Sequence, residues 1–411
     1  MNIPKLRFKD NNGNDYPQWK KVNLSDICSF LQGLTYTPND VSNTGILVLR
    51  SSNIQNDKIS YLDNVFVNIN IPDNLFVKEN DILMCVRNGS KSLVGKNALI
   101  TPKDLGNTWG AFMMIVRNKL SNKYVYYYLN TNIFNKHIFK DLGTATINQI
   151  TKKMLQSFKI YLPQITEQEK ISNFLTTVDK KITNLENTIS SLENQKKGLL
   201  QQIFSQKLRF KDENGNNYPD WEKKKLGDIT QSQGGTALEK YTTTNGLYKF
   251  ISIGNYSTYS TYLDNGIRID LNNKTKKQLL NKNDLVMILN DKTSSGNIIG
   301  RTLLIDKDNT YIYNQRSQRL ICNTKIIIPS FLYFLLNSDF RKNIIKKVQG
   351  ATQIYINYST IEVMHLNIPC LEEQTKIADF LSVFDRKLEN QKAQLEHWQQ
   401  IKKGLLQQMF V

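Results

Sequence analysis

The sequence predicts an α+β fold. Two tandem-repeated, mixed α/β globular domains are separated by two long helices that pair as an antiparallel coiled coil about an approximate two-fold axis. Three observations predict it. First, KLRFKDNNGNDYPQWKKVNLSDI at 5–27 returns as KLRFKDENGNNYPDWEKKKLGDI at 207–229, while EQEKISNFL (167–175) and KKGLLQQIF (196–204) return as EQTKIADFL (373–381) and KKGLLQQMF (402–410). Second, the stretches between these matched ends differ between copies and carry short alternating apolar runs of the kind strands need. Third, the matched ends carry apolar residues at steps of three and four, which is a coiled-coil seam.

In chain order the division is 1–163, a globular domain; 164–206, a central helix; 207–369, a second globular domain; and 370–411, a C-terminal helix. Each copy opens with an apolar LRF strand and a tight hairpin at Asn12-Gly13 or Asn214-Gly215, where Asn-Gly supplies positive φ angles. Trp19 and Trp221 follow as core anchors, and Asp26 and Asp228, in LxDI contexts, read as turn or capping residues. The runs GILVLRSS (45–52), NDILMCVRNGS (80–90) and AFMMIVRN (111–118) read as strands, answered by LYKFISIGN (247–255), NDLVMILNDK (283–292) and SQRLICNT (317–324). Residues 121–141 and 329–348 have helical spacing with aromatic faces that pack on a sheet, and Gly143 and Gly350 end them. The first seam runs Leu175, Val178, Ile182, Leu185, Ile189, Leu192, Leu199, Ile203; Lys196 interrupts it and snorkels outward. The second runs Leu381, Phe384, Leu388, Gln391, Leu395, Trp398, Lys402, Leu405, Met409. A helix of some 39 residues is a rod of roughly 58 Å that needs a partner along its apolar stripe, and its own duplicate is the simplest one.

The chain has 411 residues, with 54 Lys plus Arg against 36 Asp plus Glu, a net charge of +18 that favours a polyanionic partner. Antiparallel helices would set the two domains at opposite ends of the rod, and duplex DNA also has local two-fold axes. Two unlike basic domains could then meet one duplex in opposite orientations, reading half-sites of different sequence. Catalytic motifs are missing from the sequence. GSKSLVGKN (89–97) departs from a phosphate loop in spacing and ends in Asn97, no G-x-G-x-x-G is present, and His137, His365 and His397 stand apart from any ligand cluster. The expectation is therefore no catalytic residue and no metal site. Cys28, Cys85, Cys322 and Cys370 form no CxxC pair, and the opening MNIPKLRFKD lacks a signal-peptide core, so a cytoplasmic protein with reduced thiols and no membrane segment is expected.

The opening KLRF…YP.W…L.DI blocks, the helix starts LPQITEQEKISNFL and IPCLEEQTKIADFL, and the KKGLLQQ tails together resemble the specificity subunit of Type I restriction–modification enzymes, over the whole chain. The resemblance implies that the unlike parts are target recognition domains and the repeated helices are spacers. It also implies a non-catalytic subunit that binds a split, asymmetric site in double-stranded DNA. Its partners would be two modification (methyltransferase) subunits and restriction (translocase/nuclease) subunits, with S-adenosylmethionine, ATP and Mg held there. The outer helix faces, Glu167-Gln168, Glu373-Gln374 and the paired KKGLLQQ ends, would dock them. A coiled-coil adaptor, or a general DNA-binding scaffold without sequence specificity, is the alternative.

Bases are read by Arg, Lys, Asn, Gln, Ser and Thr on rigid elements. In the first domain the candidates are Arg50, Ser51, Ser52, Asn53, then Arg87, Asn88, Lys91, then Thr146, Asn148 and Gln149. In the second they are Ser252, Asn255, Tyr256, then Asn290, Lys292, Thr293, Ser294, then Gln315, Arg316, Arg319, and Gln353.

Overall fold

The structure, a computed structural model, describes residues 3–142 and 148–411. Its contacts divide into two compact units, Met1–Glu186 with Ala393–Val411, and Asn187–Lys392. The division by sequence at 163, 206 and 369 follows the chain; the compact units instead cut both long helices near mid-length, because each domain packs on part of both.

In the first unit, four antiparallel strands lie in the order Cys28–Gln32, Met113–Asn118, Ile82–Cys85, Asn97–Leu99. Ile82–Cys85 is buried throughout, as its unbroken ILMC run requires. Alternation splits its side chains between two cores. Met84 faces Tyr124, Tyr128 and Phe158, while Leu83 and Cys85 face Leu47, Leu49 and Trp109 of a second four-stranded sheet. The second unit repeats this with Thr230–Gly234, Ser317–Cys322, Leu285–Ile288 and Thr302–Leu304. There Leu285 and Met287 share a core with Phe331 and Leu335, and Val286 and Ile288 one with Ile251 and Tyr313.

Each aromatic helical stretch is two helices, Tyr124–Leu129 then Asn132–Leu142, and Pro329–Leu336 then Phe340–Ile345. The Thr131 and Ser338 hydroxyls donate to the carbonyls of Tyr128 (2.7 Å) and Leu335 (2.6 Å), competing with the helical ladder at the break. Gly350 does not end its helix, which stops at Ile345; it turns the chain with φ +95. Gly143 lies outside the described residues.

The opening LRF segments form no strand. Only Gly13 and Gly215 of the Asn-Gly pairs take positive φ (84 and 80). Each turn is organised by a carboxylate: Asp10 Oδ1 accepts from the amides of Asn12 and Asn14, both at 2.8 Å, and Asp212 does the same for Asn214 and Asn216. These bonds hold the Asp10 and Asp212 carboxyls below their usual range. Asp26 and Asp228 cap short helices, accepting from the amides of Asn23 and Lys225.

Arg7 in the LRF segment has a different task. Its guanidinium binds Glu167 at both oxygens (2.9 and 2.8 Å), and Trp19 Nε1 donates to the same carboxylate at 2.9 Å. Arg209, Glu373 and Trp221 repeat the arrangement at 3.0, 2.8 and 3.1 Å. Gln168 and Gln374 bond the carbonyls of Pro163 and Pro369 beside them. Both carboxylates and both amides are buried, so these four side chains tie the opening block to the domain and are not themselves presented to a partner. That corrects the expectation from sequence: a charged pair at a helix start reads as surface until its partner, some 160 residues away, is known.

The long helices span Ile165–Phe204 and Leu371–Gln408. In the first unit Lys402 pairs with Asp179 at 2.9 Å; in the second Lys196 pairs with Asp385. Lys196 and Lys402 are equivalent repeat positions, as are Asp179 and Asp385. Each helix gives its lysine late and its aspartate early, which only antiparallel pairing allows. Lys196 therefore does not snorkel to solvent; it is paired, and lies 5.2 Å over the Phe334 ring. Along the seams Leu175, Val178, Ile182, Leu185, Ile189, Leu381 and Leu388 are buried, and Leu192, Leu199, Phe384, Leu395, Trp398 and Leu405 half-buried.

Each KKGLLQQ tail packs within its own unit. Leu199, Leu200, Ile203 and Phe204 pack into the core of the second unit, and Leu405, Leu406, Met409 and Phe410 into that of the first. Their apolar faces are spent on folding, so any docking there falls to the exposed Lys197, Gln201, Gln202, Lys403, Gln407 and Gln408.

Candidate nucleic-acid interface

In each unit three segments meet where the central strand ends. After Ile82–Cys85, the amides of Val86 and Arg87 donate to the Phe112 carbonyl (3.0 and 3.2 Å), Arg87 bridges to Gln149, and the Ile150 amide donates to Val86 (2.8 Å). After Leu285–Ile288, the Leu289 amide donates to the Arg316 carbonyl (2.8 Å), Asn290 pairs with Tyr355, and the Ile356 amide donates to Leu289 (2.9 Å). These shared backbone bonds make Arg87 equivalent to Asn290, Phe112 to Arg316, and Gln149 to Tyr355. One scaffold thus presents cation, ring and amide in the first unit, and amide, cation and phenol in the second.

Arg87 and Arg316 are exposed, and Phe112 and Tyr355 are 59% and 41% exposed. The Arg87 guanidinium lies 5.2 Å from the Phe112 ring centroid, a cation–π contact that orients its free donors. Arg316 has φ +65, a left-handed conformation that costs a non-glycine residue about 1–3 kcal/mol and is characteristic of functional sites.

Around the first edge, Asn88 Nδ2 donates to Ser51 Oγ and Asn148 Nδ2 to the Gly89 carbonyl, both at 3.2 Å, so these predicted residues are brought together. Ser52 is half-buried beside Ser51, and Lys91 is exposed on the Asn88 loop. Arg50 is committed to Asp63 at 3.0 Å. Around the second edge, Lys292, Thr293, Ser294 and Gln353 are exposed, and Gln315 donates to Glu239 at 2.9 Å. Thr146 lies outside the described residues.

Five predicted residues are taken up by bonds within the protein. Asn53 and Asn255 are fully buried and equivalent: their Oδ1 atoms accept from the amides of Arg50 and Ser252 (2.9 and 3.0 Å), and their amide groups donate to Ser60, Asp63 and Leu263 carbonyls. Ser252 is half-buried, its hydroxyl donating to Asn255 Oδ1 at 2.9 Å. Tyr256 is buried, its hydroxyl bonded to Ser317. Arg319 pairs with Asp284 at 2.7 Å with 11% of its side chain exposed, the role Arg117 plays for Asp81 in the first unit. Polar type suggested contact with a ligand, but each has a structural partner instead.

Sequence reasoning passed over Phe112 and Tyr355. Both sit in segments assigned to strands or turns, and their signal is that a large aromatic stands where the other copy has a polar side chain. Burial pushes the Cys28 and Cys322 thiols up to about 12, so neither is a nucleophile at neutral pH. Among the described residues no group of three or more His, Cys, Asp or Glu is placed to hold a metal ion, and no helix is long and apolar enough to cross a membrane.

The family model for the Type I restriction modification DNA specificity domain matches the chain twice, at residues 16–194 and 218–397. The chain belongs to this family. The Type I restriction enzyme MjaVIII specificity subunit of Methanocaldococcus jannaschii is 27% identical, over 97% of this chain and 94% of its own length. The StySPI specificity subunit of Salmonella potsdam is 24% identical, over 87% of this chain and 80% of its own. The crystal structure of the Type I restriction–modification S subunit from M. genitalium superposes with a TM-score of 0.62 at 17% identity, covering 100% of this chain and 99% of that one, which shows the same fold. Each family match runs from within the opening block into a long helix, so the two matches coincide with the two copies of the repeat.

Proposed function

We propose that this specificity subunit reads a split, asymmetric target in double-stranded DNA, one half-site with each three-position edge. It docks modification and restriction subunits, which supply catalysis with S-adenosylmethionine, ATP and Mg. One observation carries this: backbone-equivalent positions bear unlike readers, Arg87, Phe112 and Gln149 against Asn290, Arg316 and Tyr355, with Gln149 and Asn290 half-buried and the other four exposed. An arginine suits guanine O6 and N7, an asparagine or glutamine suits adenine N6 and N7, and an apolar ring suits the thymine methyl. The +18 charge supplies the sequence-independent attraction to phosphate.

Mapping methylated adenines in the host genome tests the proposal: an interrupted two-part sequence is expected, and methylation at one continuous site would refute it. Substitution gives a second expectation. Arg87→Ala lowers affinity for its own half-site by about 1–3 kcal/mol and leaves the other half-site unchanged, and Arg316→Ala does the converse. Equal loss at both halves in a duplex-binding titration would make these residues plain phosphate contacts. Affinity for random duplex falls steeply with salt, linearly on a log–log plot.

A further inference from the structure

In each unit a turn that precedes the edge residues in the chain reaches back to the long helices. In the first, the hairpin of Ile54–Gln55 and Lys58–Ile59 turns through Asn56 and Asp57, both left-handed at φ 50 and 59. At its tip Lys58 Nζ donates to Thr183 Oγ1 at 3.0 Å and pairs with Glu186. The Tyr126 hydroxyl donates to the Asp57 carbonyl at 3.4 Å. The base of the hairpin is fixed to the edge, because the Ser60 amide donates to Asn53 and Ser51 accepts from Asn88, next to Arg87.

The second unit makes the same link from other chemistry. Tyr256 bridges Tyr262, and the turn between them passes through left-handed Ser260, φ 63. At its tip the Lys392 ammonium lies 4.3 Å over the Tyr259 ring and pairs with Glu193 at 2.8 Å. At its base the Tyr256 hydroxyl bonds Ser317, the residue after Arg316. In one unit the lysine comes from the hairpin and the acid from the helix; in the other the lysine comes from the helix and stacks on the hairpin. The connection recurs although the residues that make it do not.

We infer that Lys58 and Lys392 are positioning residues, each fixing the angle between the long helices and the reading edge of its own unit. The inference rests on the reading of those edges proposed above. Neither lysine serves the cores: their side chains are 45% and 43% exposed, so substitution leaves the fold intact.

The test uses the full chain assembled with its modification subunits, titrated against target duplex, duplexes with either half-site scrambled, and random duplex. Lys58→Ala is expected to reduce discrimination at the first half-site roughly fivefold, with random-duplex affinity and second half-site discrimination unchanged. Lys58→Arg, which keeps the charge and donors, restores it. Lys392→Ala does the same for the second half-site, and Lys392→Arg, still able to stack on Tyr259, restores that. Unchanged discrimination in both alanine variants overturns the inference, as does an equal loss on target and random duplex, which would mark the lysines as phosphate contacts. Arg87→Ala and Arg316→Ala run in parallel separate the two ideas. If they abolish discrimination while the lysine variants do not, only the positioning role fails; if they too are silent, the reading of the edges fails with it.

Discussion

Glu167→Ala and Glu373→Ala are expected to destabilise the units that contain them by about 3–5 kcal/mol each, the usual cost of removing one partner from a buried ion pair. Each carboxylate is fully buried and takes both guanidinium bonds of an arginine together with an indole N–H. Truncation leaves Arg7, only 17% exposed, beside Trp19 without its bidentate partner, and Arg209 beside Trp221 with only the exposed Asp220, at 3.9 Å, as counter-charge. A domain is typically stable by about 5–15 kcal/mol, so either change takes a large share. Glutamine recovers the tryptophan bond without the charge and falls between wild type and alanine. Urea denaturation with hydrogen exchange resolved by unit reads this. Unchanged midpoints in both alanine variants would mean that the network is ornamental and the helix starts are free for partners after all.

Phe410→Ala is expected to cost about 3–5 kcal/mol in the first unit, as for other buried aromatics cut to alanine. The Phe410 ring is 3% exposed, 5.2 Å from Tyr124 and 5.8 Å from Tyr128, and the Tyr128 hydroxyl donates to the neighbouring Val411 carbonyl at 3.1 Å. Ile203, fully buried, is the most enclosed tail residue of the second unit, and Ile203→Ala costs about 2–5 kcal/mol. Thermal or urea unfolding of the lone chain, without any partner subunit, is the decisive measurement. Were these tails docking elements only, the lone variants would unfold with wild-type midpoints and lose only assembly.

The architecture was legible because it is written in local patterns. Short apolar runs bounded by polar residues marked Ile82–Cys85 and Leu285–Ile288, and steps of three and four marked both long helices. What stayed hidden was long-range pairing of polar groups. No periodicity joins Arg7 to Glu167, or Lys196 to Asp385, yet these pairs fix the frame. The duplication held a clue to roles. Asn53 and Asn255 are identical across copies and do the same structural work, whereas Arg87 and Asn290 differ on the same backbone. For the edges, the segments could be picked out from their polar loops, but which side chains face outward depends on three strand ends meeting in space. Phe112 and Tyr355 were therefore missed, and Tyr256 and Arg319 taken for surface residues.

The central claim is that each unit's three-position edge selects the bases of its own half-site. Its most direct test is to exchange one edge for the other in the intact chain, Asn290→Arg with Arg316→Phe and Tyr355→Gln, and to sequence the methylated sites of cells carrying the variant with its partner subunits. The account predicts a changed second half-site beside an unaltered first one. A variant that methylates the original sequence, or one in which both halves change together, would contradict it.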